Sequence, residues 1–256
     1  MPATRQPLSV VIITLNAASQ LEDCLKSARF ADDIVVVDSG STDGTQNLAM
    51  RYGARVIDQS WLGFGPQKQF AVESARHDWV LCLDADERVS PELQASIERA
   101  LQQTTCGAFR FPRCNRFLGR YLKHGEGYPD WSLRLFDRRH ARWSDDAVHE
   151  KVVTDATVGT LDGDLLHDSA ETLTAYLTKQ NRYTTLAAEM ALQAGKRATF
   201  GRIAFSPIVR FIKFYIIRQG FRDGLPGLIH IAIGCSNSFF KYAKMLERQK
   251  SDAALR

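Results

Sequence analysis

The chain has 256 residues, 45% of them hydrophobic, and a formal net charge of +4 at pH 7. This length and composition allow a substantial core and predict one compact domain with an appendage. The five cysteines are odd in number and form no C-x-x-C pair. Their pattern argues against a zinc site or a disulfide framework and predicts a reducing, cytoplasmic location. The polar residues 1–7 predict no signal peptide.

The first predicted elements are a strand, a helix and a second strand. Residues 8–16 form a nearly continuous apolar, β-branched run, which is typical of a strand buried on both faces of a parallel sheet. An amphipathic stretch follows at 21–28, and the second strand, 33–38, opens into the polar, glycine-containing turn 39–45. Asp38 ends that strand and is placed to accept hydrogen bonds from a base or a ribose.

A third apolar strand, 79–83, runs straight into three carboxylates: Asp84, Asp86 and Glu87. Carboxylates this close repel one another unless positive charge lies among them, and a hard divalent cation such as Mg²⁺ or Mn²⁺ is the usual partner. A solvated turn after a buried strand is the simpler interpretation. However, ligands of open α/β sheets bind at the carboxyl ends of strands, so one crevice would collect Asn16, Asp38 and Asp84.

The next region predicts a surface for a second ligand. A helix over 91–103, a strand over 107–111 and an alternating strand over 131–136 continue the α/β pattern. Between the two strands lie a basic, aromatic stretch, 113–123, and a glycine-rich loop, 124–129. Loops that carry aromatic and charged side chains on a rigid sheet commonly bind ligands, so we expect a second substrate to dock here.

The C-terminal part is basic. Residues 168–256 hold 14 Lys and Arg against 6 Asp and Glu, a net charge of +8, which leaves −4 for residues 1–167. The segment 205–218 predicts a helix after Pro207, with three cations among large apolar residues: Arg210, Lys213 and Arg218. This helix lies on an anionic membrane surface, packs on the domain with its cations extended into water, or does both. Its aliphatic content suits lipid better than nucleic acid, and no run of about 18 uncharged apolar residues predicts a transmembrane helix.

Three motifs occur together in the order and spacing of the family 2 glycosyltransferases, which this chain resembles. They are Val11–Asn16, Asp38–Thr45 and Leu83–Asp86. Further motifs resemble the acceptor half of the subgroup that builds the lipopolysaccharide inner core, its β-1,4-glucosyltransferases: Tyr128–Trp131, Arg134–Phe136, Trp143 and Val148–Glu150. One departure is Ser39, because the family often has Asp-Asp-Gly-Ser here. The first carboxylate, expected to meet uracil, is retained.

The resemblance implies an α/β GT-A fold, a Rossmann-like, mainly parallel sheet flanked by helices, with a helical C-terminal appendage. The implied catalytic domain is 1–168, with a nucleotide-sugar half at about 7–105 and an acceptor half at about 106–168, followed by a basic helical region at 169–256. The implied reaction is inverting transfer of glucose from UDP-glucose to a heptose of the inner core, with another cell-envelope glycan as the alternative. The partners would be a lipid-linked saccharide and the inner face of the cytoplasmic membrane, and no nucleic acid.

The resemblance also assigns candidate site residues. The nucleotide sugar would contact Thr14, Asn16, Asp38, Lys68 and Asp84. Lys68 would pair with the diphosphate or edge the uracil, unless it is only a surface lysine at a helix start. The divalent cation would bind Asp86, with His149 or His167 reaching the metal or a phosphate oxygen. The expected base for the acceptor hydroxyl is Glu150, and the alternatives are Asp130 and Asp146.

Two other classes of function stay open at this stage. A nucleotidyltransferase also uses strand-end carboxylates with a metal, but it usually opens with a glycine-rich, basic loop, and residues 14–18 contain neither glycine nor a base. A non-enzymatic scaffold on a membrane surface would use the basic tail, but it has no need of carboxylates gathered in one crevice.

Overall fold

The computed structural model of the protein describes residues 5–103, 105–145, 150–168 and 172–254. The chain forms two compact units. The first comprises Met1–Cys114 and Asp130–Asp168, and the second comprises Asn115–Pro129 and Ser169–Arg256. Residues 115–129, which the sequence-based division places in the acceptor half, therefore group with the C-terminal region.

Within the described residues the strands are, in chain order, β1 (Leu8–Thr14), β2 (Asp33–Asp38), β3 (Arg55–Asp58), β4 (Trp79–Asp84), β5 (Glu87–Val89), β6 (Ala108–Phe117), β7 (Arg120–Tyr121), β8 (Asp130–Asp137), β9 (Ala141–Trp143), β10 (Val152–Thr154), β11 (Val158–Thr160) and β12 (Leu165–His167). The helices are α1 (Ala18–Ser27), α2 (Thr45–Arg51), α3 (Phe64–Glu73), α4 (Pro91–Gln102), α5 (Leu173–Gln193), α6 (Phe200–Phe211) and α7 (Gly224–Ala254). A π-helical segment, Ile212–Ile217, continues α6, and a 3₁₀ turn, Gly220–Asp223, precedes α7.

The main sheet has the strand order β3-β2-β1-β4-β8-β6-β12-β5. Its first four strands are parallel, and β8 then runs antiparallel to both β4 and β6. Strand β12 pairs antiparallel with β5 at the far edge, and β9 and β10 form a separate antiparallel pair. The carboxyl ends of β1, β2 and β4 therefore lie at one edge of the sheet, as the strand pattern predicts.

The strand β1 is buried on both faces, as its continuous apolar sequence predicts. Val10 and Ile12 lie in the larger core, which packs against α1, α2 and α4, while Val11 lies in a second core beside α3 and β9. The helix α4 begins where Ser90 accepts a hydrogen bond from the backbone nitrogen of Leu93 at 3.2 Å. These contacts fix the strand ends that carry the candidate site.

The second unit contains the end of β6, strand β7 and the C-terminal helices. The expected start of a helix after Pro207 is wrong, because α6 begins at Phe200 and contains Pro207 in its interior. Thr199 supplies the cap by accepting a hydrogen bond from the backbone nitrogen of Arg202 at 3.3 Å. Pro207 has no backbone N–H, so α6 lacks the helical hydrogen bond that this position would donate. No helix among the described residues combines the length and the hydropathy that a membrane span requires.

Candidate active site

The carboxylate of Asp38 is fully buried at the end of β2. Its Oδ1 accepts hydrogen bonds from the backbone nitrogens of Gly40 and Ser41, at 3.1 and 2.8 Å, and from Gln46 Nε2 at 2.8 Å. Its Oδ2 accepts from the hydroxyls of Thr14 and Ser41, at 2.7 and 2.5 Å. Burial disfavours the charged form, but these hydrogen bonds outweigh it and hold the pKa of Asp38 below its ordinary value. The carboxylate thereby fixes the turn that follows β2.

Asn16 connects the end of β1 to the same turn. Its side-chain oxygen accepts a hydrogen bond from the backbone nitrogen of Thr42 at 2.9 Å, and its own backbone nitrogen donates to Ser41 Oγ at 2.7 Å. Its φ of 51° is in the left-handed region, which asparagine tolerates better than most residues. Three of the predicted nucleotide contacts, Thr14, Asn16 and Asp38, therefore lie together. Contact with a nucleotide stays a prediction.

Lys68 lies between two carboxylates. Its Nζ is 3.2 Å from Asp84 Oδ1 and 3.1 Å from Glu150 Oε1. The same ammonium group lies over the ring of Trp143, 4.8 Å from its centroid. The side chain of Lys68 is only 7% exposed, so it is not a surface lysine at a helix start. The structure thus joins a predicted nucleotide contact to the predicted base through one cation.

Glycine in α3 makes this approach possible. Gly65 lies one turn before Lys68, and a Cβ atom at position 65 would overlap the backbone carbonyl oxygen of Ser144. The absence of a side chain lets the backbone of α3 approach Ser144 and Glu150. Gly65 therefore helps to position Lys68, one turn later on the same helix, in the site.

Arg134 is the second buried cation of the site. It lies on β8, beside β4, and its Nη2 is 3.0 Å from Asp84 Oδ2 and 3.5 Å from Glu87 Oε1. Its guanidinium centre is 5.2 Å from the ring centroid of Trp143. Its other terminal nitrogen, Nη1, is buried and has no hydrogen-bond acceptor among the described residues. Two cations therefore flank Trp143 and share the carboxylate of Asp84.

These contacts set the charge states of the buried carboxyls. Burial disfavours the charged form of Asp84, but Arg134 and Lys68 outweigh it and hold the pKa of Asp84 well below its ordinary value. Burial raises the pKa of Glu87, and Arg134 offsets this only in part. Burial also opposes the charge of Arg134, but Glu87 and Asp84 outweigh it and raise its pKa above the ordinary value. Asp84 is therefore an anion held between two cations.

Asp130 lies at the other end of the same chain of charges. Arg113 contacts it through Nε at 3.0 Å and Nη2 at 2.9 Å, and Arg113 Nη1 is 3.7 Å from Glu87 Oε1. The charged side chains thus alternate in sign along one continuous series: Asp130, Arg113, Glu87, Arg134, Asp84, Lys68 and Glu150. Two of the three carboxylates considered as base, Glu150 and Asp130, belong to this series, one at each end.

Asp86 and His167 form a separate pair. Asp86 Oδ2 is 3.2 Å from His167 Nε2, and the two side chains are 24% and 21% exposed. The backbone nitrogen of Asp168 donates to the carbonyl oxygen of Asp86 at 3.0 Å and so joins the end of β12 to the acidic turn. The structure therefore brings the two predicted metal ligands together. Asp146 and His149 lie outside the described residues.

Three residues of the charged series had no assigned role in the site: Glu87, Arg113 and Arg134. Glu87 was counted only as part of the acidic turn, and Arg113 only as part of a basic stretch. Arg134 and Trp143 belonged to motifs of the resembled subgroup without an assigned role. An isolated arginine in an alternating strand gives no sequence signal, because its partner on the neighbouring strand depends on register.

Residues 9–157 match the sequence model of the family described as Glycosyl transferase family 2. The chain is also 33% identical, over 250 residues, to the lipopolysaccharide core biosynthesis glycosyltransferase LpsC of Rhizobium meliloti (strain 1021), which covers 94% of this chain and 93% of that protein. The chain belongs to glycosyltransferase family 2. The expected GT-A fold and enzyme class are confirmed, and the interpretation as a non-enzymatic scaffold is set aside.

Two solved structures are similar to this glycosyltransferase at lower identity. Staphylococcus aureus TarS 1-349 gives a TM-score of 0.49 at 14% identity, over 95% of this chain and 92% of that chain. Glucosyl-3-phosphoglycerate synthase from Mycobacterium tuberculosis, in complex with Mn²⁺, UDP and glucosyl-3-phosphoglycerate, gives a TM-score of 0.37 at 25% identity, over 43% of this chain and 44% of that chain.

Proposed function

We propose that this glycosyltransferase is a metal-dependent, inverting enzyme that transfers glucose from UDP-glucose to a heptose of the lipopolysaccharide inner core. The observation that carries the proposal is the position of Lys68, within 3.2 Å of Asp84 and 3.1 Å of Glu150. It places a cation between a carboxylate of the donor motif and a carboxylate suited to activate the acceptor. Such a site holds the two charged functions that an inverting transfer needs.

The donor nucleotide is assigned to the edge formed by the ends of β1, β2 and β4. Asp38 holds the turn at this edge, and Asn16 remains exposed beside it. Lys68 is the cation available to pair with the diphosphate, because its contacts are ion pairs that a flexible ammonium can exchange. Arg134, by contrast, is fixed by two carboxylates and an aromatic ring, so we assign it to holding Asp84.

The pair of Asp86 and His167 fits a divalent cation. It offers a carboxylate oxygen and an imidazole nitrogen, which Mn²⁺ accepts, and no third His, Cys, Asp or Glu completes a protein cage among the described residues. A site of this kind leaves positions for the diphosphate of a nucleotide sugar. The cation, when bound, neutralises the negative charge of the departing diphosphate.

Glu150 is the base that we assign to the acceptor hydroxyl. It is held by Lys68 alone among the described contacts of its carboxylate, and its side chain is 22% exposed. Asp130, the alternative, is held through Oδ2 by two nitrogens of Arg113. Glu150 therefore has fewer described contacts to break before it takes a proton from the acceptor hydroxyl.

The acceptor assignment rests on the relative LpsC, which is described as a lipopolysaccharide core biosynthesis glycosyltransferase and matches nearly the whole chain. The core is attached to lipid, so the proposal includes an anionic membrane surface as partner and a peripheral position on the cytoplasmic side. The basic segment 205–218 of the second unit supports this, because it exposes apolar side chains next to cations. Another cell-envelope glycan is the remaining candidate acceptor.

Calorimetric titration with UDP, UDP-glucose, UDP-galactose and GDP-mannose, each with Mn²⁺ and with EDTA, tests the donor. We expect metal-dependent binding of UDP-glucose and its loss in Asp86→Ala. Binding that is equal in EDTA would contradict the metal assignment. Absence of binding by the folded protein would contradict the donor site.

A pair of matched carboxylate variants tests the base. Glu150→Gln is expected to lower kcat about 100-fold or more while UDP-glucose still binds, because a positioned general base contributes at least that much. Asp130→Asn, at the other end of the charged series, is expected to retain most of the wild-type kcat. The reverse result would assign the base to Asp130.

A further inference from the structure

The exposed side chains of α6 and of the π-helical segment form a largely apolar face. Its exposed side chains include Val209 at 62%, Ile216 at 56% and Ile217 at 70% exposure, and Phe221 of the following 3₁₀ turn is 50% exposed. Side chains of this size normally pack against something, and a row of them along one helix marks a contact surface. This face belongs to the second unit.

The stretches of sequence around this face are rich in basic residues. Residues 196–222 contain seven basic side chains and no Asp or Glu: Lys196, Arg197, Arg202, Arg210, Lys213, Arg218 and Arg222. Residues 115–123 contain Arg116, Arg120 and Lys123, again with no Asp or Glu. An apolar face beside an excess of positive charge matches the interface of an anionic bilayer, where acyl chains lie beneath phosphate groups.

Not all of these cations point to a lipid surface. Arg210, expected to meet the membrane, instead pairs with Glu126 of the glycine-rich loop, with Nε 3.1 Å from Oε2 and a second contact through Nη2. Arg218 donates to the backbone carbonyl of Tyr128 at 2.8 Å. Lys213 lies exposed over the ring of Phe214, at 5.2 Å from its centroid.

The hairpin of β6 and β7 is fixed to this same region. Arg120 Nη2 donates to the carbonyl oxygen of Arg222 at 3.0 Å, close to the exposed Phe221. His124, which follows the hairpin in the chain, is held by Asp223. Its backbone nitrogen donates to Asp223 Oδ2 at 2.7 Å, and its ring Nδ1 lies 2.9 Å from Asp223 Oδ1. These contacts fasten the hairpin to the turn that joins the π-helical segment to α7.

The hairpin tip carries an apolar side chain of its own. Leu118 is 48% exposed and has a φ of 46°, a conformation that leucine rarely adopts. Gly119 follows it with a φ of 82°. Asparagine or glycine would suit this turn better, so an exposed leucine in this conformation points to a contact outside the chain.

We propose that the hairpin tip at Leu118 is a second membrane-contacting element, which enters the interface of an anionic bilayer together with the face formed by Val209, Ile216 and Ile217. The inference rests on the proposed function for its location at a membrane, but it concerns lipid contact alone. The hairpin and the helix are joined through Arg120 and Arg222, so the two elements bind lipid as one surface. The glycine-rich loop is carried on the same surface.

Co-sedimentation of the full chain with phosphatidylglycerol vesicles, and with phosphatidylcholine vesicles, tests the proposal. We expect binding to the anionic vesicles only, weakened by salt. Leu118→Asn and Leu118→Gly remove the apolar side chain in residue types that tolerate the backbone, so both should fold and bind about threefold or more weakly. Ile217→Asn should weaken binding by a similar factor, and Met190→Asn, which changes an exposed side chain of α5, should not.

Three results would overturn the proposal. They are wild-type binding by both Leu118 variants, equal loss in Met190→Asn, and no binding of the wild type to anionic vesicles. Titration of the same preparations with UDP distinguishes failure of the lipid-contact proposal from failure of the donor assignment. Normal UDP binding without vesicle binding removes only the lipid surface, whereas vesicle binding without UDP binding removes only the proposed donor site.

Discussion

Replacement of Arg134 by glutamine removes the buried cation between two carboxylates. The side chain of Arg134 is 9% exposed, and its Nη2 is 3.0 Å from Asp84 and 3.5 Å from Glu87. Glu87 is fully buried, and its Oε2 also accepts the backbone N–H of Asp84 at 2.9 Å. Arg134→Gln therefore leaves Asp84, which is 28% exposed, paired with Lys68, and leaves the buried Glu87 with only the 3.7 Å contact of Arg113 among the described cations.

The expected loss is large. Breaking a buried ion pair by removing one partner costs about 3–5 kcal/mol, because the remaining charge stays buried without compensation. We expect the free energy of unfolding of Arg134→Gln to fall by about this amount near pH 8. The matched control is Arg142→Gln, because Arg142 is 65% exposed and makes only a 3.5 Å contact with Asp145. Its expected change is within about 0.5 kcal/mol.

The loss of unfolding free energy in Arg134→Gln should become smaller as pH falls. In the wild type the pKa of Asp84 is depressed, so its contribution to stability is present above the unfolded pKa of about 3.9 and is lost only as pH falls through the folded pKa. Without Arg134, burial raises the pKa of Glu87 further, and the pKa of Asp84 rises from its depressed value. A raised carboxyl pKa destabilises the fold above that pKa, and protonation relieves the penalty as pH falls. The difference between variant and wild type should therefore shrink between about pH 8 and pH 5.

Urea unfolding monitored by tryptophan fluorescence, at several pH values, measures both quantities. Glu87→Gln combined with Arg134→Gln should recover about 1 kcal/mol or more, because the double variant also removes the fully buried carboxyl that has lost its nearest cation. The reasoning would be refuted by an Arg134→Gln variant within about 1 kcal/mol of the wild type, or by a deficit equal at both ends of the pH range.

Three further changes follow from local geometry. Gly163→Ala should cost about 3 kcal/mol or more by urea unfolding, because it combines a φ of 95° with overlap of the Leu93 backbone nitrogen, whereas Gly53→Ala, at a φ of 81° with open space, should cost about 1–2 kcal/mol. Equal losses would contradict the overlap. Ser90→Ala should lower stability by about 1–2 kcal/mol, since its hydroxyl caps α4, and a neutral result would exclude this role. Lys68→Met should weaken UDP binding about tenfold or more in calorimetry, and unchanged affinity would remove it from the diphosphate site.

Much of the fold follows from local patterns in the sequence. The continuous apolar run of β1 has one explanation, burial on both faces, and Val10, Val11 and Ile12 lie in the two cores accordingly. The helix expected over 91–103 is found as α4. Its cap residue and its amphipathic pattern are local signals, which can be identified in the sequence alone. Strand ends and parallel order also predict that Asn16, Asp38 and Asp84 share one edge.

The start of α6 and the grouping of residues 115–129 could not be predicted in this way. A proline in an apolar, basic segment indicates a helix start, but α6 is capped earlier in the chain, at Thr199. The glycine-rich loop carries no signal for its partners, because Arg210 and Asp223 lie far along the chain from Glu126 and His124. Only the folded second unit brings these charges together.

The sequence by itself determined the family, the GT-A sheet and the carboxylates at the strand ends, because each depends on residue type, spacing and period over a short stretch of chain. The tertiary structure decided which charge meets which. Arg134 reaches Asp84 because β8 runs antiparallel to β4, and Lys68 reaches Glu150 because Gly65 lets α3 approach closely. The electrostatic function of a buried charge depends on the few ångströms that separate it from its partner, and that distance is set by strand register and helix packing.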